Sequence, residues 1–212
     1  MESASVPLPH GVGGGHAAES HHHGPPEANQ SSRIDRQTLG ILLFIVSEVM
    51  LFGSFFASYF FLRVVVHPSA WPPHPFELPV AVAGMNTAIL VSSSFTIHYA
   101  LEAIRKGNKQ GMKLGLVLTW LLGLTFLFVQ INEYVHLGFS SRTEAFGTIF
   151  YSLTGLHGAH VFIGLCLLLF VTIRSFRGHY SPEEHRGVEV PGIYWHFVDI
   201  MWLIVFATVY IL

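Results

Sequence analysis

Five long apolar stretches, almost free of charged side chains, constrain the fold of this chain more than any other feature. They cover residues 39–62, 78–101, 114–132, 145–173 and 190–212, and each contains 19 to 29 residues. An α-helix needs about 20 apolar residues to cross the hydrocarbon core of a bilayer. Because backbone amides in lipid must pair within their own segment, each stretch predicts one membrane-spanning helix. The predicted fold class is therefore all-α, a polytopic membrane bundle of five transmembrane helices.

Basic side chains are distributed unevenly among the segments that connect these stretches. Nine of the 11 Lys and Arg residues precede the first stretch or lie in the second and fourth connections, and two lie in the first and third. Cytoplasmic connections carry the excess of Lys and Arg in most membrane proteins. The asymmetry predicts a cytoplasmic N-terminus and a C-terminus outside the cell. The connections are short, so we expect no soluble catalytic domain.

Residues 1–38 form a separate polar region. They are rich in Gly, Pro and His, include three consecutive histidines at residues 21–23, and contain few large apolar side chains. Such a composition cannot bury enough apolar surface to fold alone. It predicts a disordered cytoplasmic tail, which precedes a membrane domain at residues 39–212. Adventitious metal binding by the histidines of the tail stays open.

Glu48 is the most informative polar residue, because it falls near the middle of the first stretch. A charged carboxylate at that depth costs several kcal/mol. We therefore expect it to be protonated, hydrogen-bonded or directed towards other helices. Helical spacing places it on one stripe with Phe44 and Phe52. Two interpretations stay open, a packing carboxyl that bonds a neighbouring helix and an acid that handles protons.

Four further polar residues lie within the fourth and fifth stretches. His157 and His160 share one helical face, where they can ligate a metal together or bond neighbouring helices. His196 and Asp199 have the same spacing, which predicts a buried hydrogen bond between the two side chains. A b-type haem held between histidines of facing helices is the alternative interpretation.

Three candidates lie near the ends of the stretches. Glu133, at the outer end of the third stretch, is expected to be hydrated at the membrane interface. Arg174 and Arg177 begin the fourth connection. They fit ordinary membrane topology, and they equally fit charge-assisted hydrogen bonds to phospholipid head groups. Trp71 precedes two prolines and predicts an interfacial anchor on an outer loop.

Several runs of sequence together resemble subunit III of the haem–copper terminal oxidases, cytochrome c oxidase in particular. The runs are residues 44–52 (FIVSEVMLF), 71–73 (WPP), 132–134 (NEY), 154–161 (TGLHGAHV) and 194–202 (YWHFVDIMW). They follow the order of the family and extend over nearly all of the chain after the polar tail. The family usually has seven helices, so five helices indicate the shorter bacterial form.

The resemblance implies an accessory role in aerobic respiratory electron transport. Subunit III carries neither haem nor copper, which belong to subunits I and II, so no cofactor, metal site or catalytic residue is expected in this chain. The implied partners are subunit I by direct packing, subunit II of the same complex, and bound phospholipids, with no nucleic acid. The complex takes electrons from cytochrome c, reduces dioxygen to water and translocates protons across the bacterial plasma membrane.

The resemblance also implies roles for individual residues. Glu48 matches the family's membrane-buried carboxylate, which supports proton uptake into subunit I. Arg174 falls where the family places a basic residue that binds a lipid head group, and we group Arg177 and Phe44 with it as lipid-binding. Structural polar roles are expected for His157, His160, His196, Asp199 and Glu133. The alternatives are subunit III of a quinol oxidase, since subunit II decides the donor, and a standalone haem protein.

Overall fold

Long α-helices make up nearly all of the structure. The computed structural model describes residues 36–66, 78–181 and 186–212, and this part of the chain contains no β-strand. The helices are α1 (Arg36–Phe61), α2 (Val80–Arg105), α3 (Lys109–His136), α4 (Ala145–Phe176) and α5 (Arg186–Phe206). A π-helical turn extends α1 over Leu62–Val66 and another extends α5 over Ala207–Ile211. All five helices are long and apolar enough to cross a membrane, which confirms the predicted fold class.

The helices reach beyond the apolar stretches, because polar residues at a membrane boundary can remain helical. Asn108 caps α3 by accepting a hydrogen bond from the Gly111 N–H (2.9 Å). At the same end of the bundle, Gly178 follows α4 with a φ of +79°, a left-handed conformation that favours glycine. Residues 36–38 of the predicted tail form the start of α1. Residues 1–35 and the predicted anchor Trp71 lie outside the described residues.

Small residues allow α2 and α3 to pack closely. A Cβ atom added at Gly115 would lie 2.7 Å from the Cβ of Ala100 and 2.9 Å from the carbonyl oxygen of Thr96. The hydroxyls of Thr96 and Thr119 are 2.8 Å apart across the same contact. Close approach of backbones is how helices gain packing energy in a membrane, where lipid is as apolar as the helix surface.

The indole of Trp195 fixes the position of α5 in the bundle. It is fully buried, and its N–H donates to the Ser93 hydroxyl of α2 (2.9 Å). A Cβ at Gly123 of α3 would approach the ring to 2.5 Å, and one at Gly164 of α4 would approach it to 2.8 Å. The ring therefore fills a slot that only two glycines leave open.

α1 lies at the edge of the bundle. Phe52 and Tyr59 are buried, and the Tyr59 hydroxyl donates to the Thr208 carbonyl beyond α5 (2.9 Å). The opposite face is exposed and apolar, with Leu43 and Met50 as examples. An exposed apolar face of this kind suits lipid or another membrane chain.

Candidate functional site

The carboxyl group of Glu48 contacts an imidazole on α4. Glu48 Oε2 lies 2.9 Å from His160 Nε2, and the two side chains are 15% and 9% exposed. The second ring nitrogen of His160, Nδ1, lies 2.8 Å from the carbonyl oxygen of Leu156. A carbonyl can only accept, so Nδ1 carries a hydrogen and Nε2 is the atom that exchanges with the carboxyl group.

One mobile proton is shared between Glu48 and His160. In one arrangement a protonated carboxyl donates to a neutral imidazole, and in the other an imidazolium donates to a carboxylate. The pair has zero net charge in both arrangements. This neutrality explains how a carboxyl group is accommodated at a depth where an isolated charge is unfavourable. The sequence left open whether this carboxyl is protonated, hydrogen-bonded or directed towards other helices, and the structure places His160 of α4 within hydrogen-bonding distance of it.

Aromatic residues enclose this pair between α1, α4 and α5. The ring of Phe52 lies 5.2 Å from the His160 ring, measured between centroids. The Tyr194 hydroxyl donates to the backbone carbonyl of His160 (3.2 Å), and the Phe44 ring lies 6.1 Å from the Tyr194 ring. Sequence reasoning did not identify Tyr194 as part of this site, because it lies 34 residues from His160 and its side chain fits ordinary packing.

His157 faces different neighbours from this pair. It is fully buried, with the Phe126 ring of α3 at 5.8 Å and the Trp202 ring of α5 at 4.8 Å between centroids. The two histidines are three residues apart, which separates them by about 60° around the helix, enough to face different neighbours. Within the described ranges, no three His, Cys, Asp or Glu side chains lie close enough to share a metal ion.

A serine of α2 stands between the two polar residues of α5. The Ser94 hydroxyl donates to Asp199 Oδ2 and lies 3.1 Å from His196 Nδ1. A hydroxyl has one hydrogen, so the His196 N–H donates to Ser94 while Ser94 donates to Asp199. The predicted direct bond between His196 and Asp199 is therefore replaced by a bridge. The bridge forms because α2 packs close enough to place a hydroxyl between the two side chains.

Glu133 is buried rather than exposed at the interface. The side chain is 4% exposed, and its Oε1 accepts a hydrogen bond from the Tyr210 hydroxyl (2.8 Å). It also lines a cavity of about 450 Å³ between the start of α2 and the end of α3. Sequence reasoning did not identify Tyr210 as its partner, because Tyr210 lies in the apolar end of the last stretch.

The predicted lipid-binding residues occupy different places. Arg174 lines a groove of about 280 Å³ between α4 and α5, at the predicted cytoplasmic end, with Arg186 and Tyr180. Its guanidinium lies 5.8 Å from the centroid of the Tyr180 ring. Burial raises the pKa of Tyr180, so its hydroxyl stays protonated and can donate. Arg177 is exposed and does not line the groove, and Phe44 is exposed on α1.

Comparison with known proteins identifies the family. A family model described as cytochrome c oxidase subunit III matches residues 18–212 of this chain. The chain belongs to the cytochrome c oxidase subunit III family. The protein named cytochrome c oxidase subunit 3 from Thermostichus vulcanus is 46% identical over 179 residues, which cover 84% of this chain and 88% of that protein.

More distant members of the subunit III family match as well. Cytochrome c oxidase subunit 3 of Synechocystis sp. is 42% identical over 197 residues, covering 92% of this chain and 80% of that protein. Cytochrome c oxidase subunit 3 of Drosophila yakuba is 37% identical over 180 residues, covering 81% of this chain and 67% of that protein. Together with the five spanning helices, these matches confirm the resemblance found in the sequence runs. Subunit III membership favours an accessory multi-pass membrane subunit over a standalone haem protein.

Proposed function

We propose that this chain is the non-catalytic subunit III of a cytochrome c oxidase in a bacterial plasma membrane. The observation that carries the proposal is the family match over residues 18–212, on a chain with five membrane-spanning helices. In this assignment subunits I and II hold the haem and copper, and cytochrome c supplies the electrons. The complex reduces dioxygen to water and translocates protons, while this chain supports subunit I.

The exposed face of α1 supports packing against another membrane chain. Ser47 and Ser54 lie on this face, and each hydroxyl donates to a carbonyl of its own helix at 2.6 and 2.7 Å. Their hydroxyls are already hydrogen-bonded within α1, so this face presents small side chains with little remaining polarity. Such a surface allows a neighbouring helix to approach closely. Subunit I is the partner that we assign to it.

The groove beside Arg174 supports phospholipid binding. Its walls combine apolar side chains from α4 and α5 with the guanidinium groups of Arg174 and Arg186 and the hydroxyl of Tyr180. A phosphate accepts strong charge-assisted hydrogen bonds from guanidinium, and the apolar walls suit an acyl chain. Phe44 adds exposed aromatic surface for acyl chains elsewhere on the bundle. Arg177 remains a prediction as a second head-group contact.

The Glu48–His160 pair supports a link to proton uptake. Its single shared proton can move from carboxyl to imidazole over a hydrogen bond of 2.9 Å without changing the net charge in the membrane. We infer that the pair shapes the local electrostatics beside subunit I, as the family's buried carboxylate does.

Removing the chain from the purified complex tests the proposed function. We expect the initial rate of dioxygen reduction to survive, since no redox centre is lost, and the rate to decay faster with successive turnovers. Adding the chain back with phospholipid should restore the lifetime, which controls for damage during removal. An unchanged lifetime in the depleted complex would show that the chain does not support turnover.

A further inference from the structure

Four buried polar side chains between α2, α3 and α4 have no role in the proposed function. They are Asn86 of α2, Gln130 and Glu133 of α3, and His157 of α4, and none is more than 4% exposed. Six of their side-chain atoms form no hydrogen bond of normal geometry with the described residues, although the Gln130 amide lies beside the hydroxyls of Tyr134 and Tyr210. These atoms are Asn86 Oδ1, both amide atoms of Gln130, Glu133 Oε2 and both ring nitrogens of His157.

Contacts along α3 place the four side chains in one region. Asn86 Nδ2 donates to the Phe126 carbonyl (3.2 Å), and the Phe126 ring lies against His157. Gln130 follows Phe126 by about one turn of α3, and Glu133 follows Gln130 by about another. The region is therefore shared by α2, α3 and α4 along two turns of helix.

The mixture of donors and acceptors identifies the class of ligand. Oxygen atoms of Asn86, Gln130 and Glu133 accept, whereas the Gln130 amide nitrogen and one nitrogen of His157 donate. A bound cation would face the donors, and a bound anion would face the acceptor oxygens. Water both donates and accepts, and buried water in proteins typically bonds to about three otherwise unpaired polar groups. Buried polar atoms in native proteins are nearly always paired in this way when protein partners are absent.

We propose that the region between Asn86, Gln130, Glu133 and His157 is a hydration site that binds ordered water molecules. These waters complete the hydrogen bonds of the four side chains. The inference does not depend on the proposed function, since it rests only on the buried atoms and their chemistry.

Glu133 connects the hydration site to the surface of the bundle. The same side chain lines the cavity of about 450 Å³ between α2 and α3, together with Asn132 and His136. Water can therefore exchange past this carboxyl group at the predicted outer end of the bundle. The hydration expected for Glu133 from its place in the sequence is then supplied by bound water on its buried side.

Two tryptophans of α5 provide a matched pair for the test. Trp195 and Trp202 are both fully buried, and each donates its indole N–H to an α2 hydroxyl at 2.9 Å. Trp202 packs on His157 at the hydration site, whereas Trp195 sits in the slot formed by Gly123 and Gly164. The two rings thus differ in their neighbours and agree in type, burial and bonding.

Radiolytic labelling of the native membrane complex in ¹⁸O-water detects bound water directly. Hydroxyl radicals formed from bound water oxidise adjacent rings, and mass spectrometry locates the added oxygen. We expect Trp202 to be labelled several-fold more than Trp195. Equal labelling of the two tryptophans would overturn the proposal.

A substitution inside the hydration site tests whether these side chains hold the water that labels Trp202. Gln130→Leu removes two of the unpaired atoms, so the excess label at Trp202 should fall towards the level at Trp195. Gln110→Leu on the exposed start of α3 is the control and should leave the ratio unchanged. An unchanged ratio in Gln130→Leu would contradict the assignment. If that variant fails to assemble, the comparison of the two tryptophans in the unmodified chain still decides the question.

Discussion

Substituting Glu48 by Leu removes the carboxyl partner of His160 and leaves an apolar side chain of similar size on α1. Because His160 Nδ1 remains bonded to the Leu156 carbonyl, only Nε2 loses its partner. The imidazole is 9% exposed, so water has little access to the unpaired Nε2 atom. Leaving a buried polar atom unpaired costs about 1–3 kcal/mol. We expect Glu48→Leu to lower the free energy of unfolding by that amount.

A double-mutant cycle with His160→Leu separates the interaction from the change of side chain. Coupling energies between neutral groups of membrane helices average about 0.6 kcal/mol and reach about 1.7 kcal/mol. Breaking a buried ion pair by removing one member typically costs about 3–5 kcal/mol. The coupling energy of the cycle therefore reports which of the two proton arrangements the pair adopts.

Glu48→Gln provides an independent control. The glutamine amide can donate to His160 Nε2, as a protonated carboxyl does, but it cannot form an ion pair. We expect the neutral arrangement, and therefore a small coupling energy and a Gln variant close to the unmodified chain in stability.

Unfolding of the purified chain by SDS in mixed micelles, followed by tryptophan fluorescence, measures these free energies. The chain has four tryptophans and none is substituted in the cycle. Strictly additive costs of Glu48→Leu and His160→Leu would refute the reasoning, because they would mean that the two side chains do not interact. A coupling energy above about 3 kcal/mol with an unstable Glu48→Gln variant would establish the ion pair instead.

Two further substitutions have matched controls in the chain. Gly123→Ala should lower the free energy of unfolding in the same assay by about 1–3 kcal/mol more than Gly158→Ala. The new methyl group meets the Trp195 ring at 2.5 Å, whereas nothing lies within 4 Å of a Cβ at Gly158, so equal values would contradict the packing described above. Arg174→Gln should reduce the phospholipid retained by the purified complex, measured by mass spectrometry of extracted lipid, more than Arg177→Gln, which does not line the groove. Equal retention in both variants and the unmodified complex would argue against the head-group site.

The sequence by itself determined the number of membrane spans and the family. Both depend on local information, namely the length of each apolar stretch and short runs such as residues 154–161. The length of a span is set by the thickness of the bilayer, so no knowledge of the neighbouring helices is needed to count spans. The same reasoning predicted that Glu48 is protonated, hydrogen-bonded or directed towards other helices, without naming a partner.

Only the tertiary structure decided which residue each polar side chain meets. Glu48 and His160 are separated by 112 positions in the sequence, Ser94 and Asp199 by 105, and Glu133 and Tyr210 by 77. These helices are apolar on most sides, so the sequence pattern of a helix does not reveal which face meets which neighbour. The separation of His157 from His160, the serine bridge and the buried position of Glu133 all follow from how the helices pack.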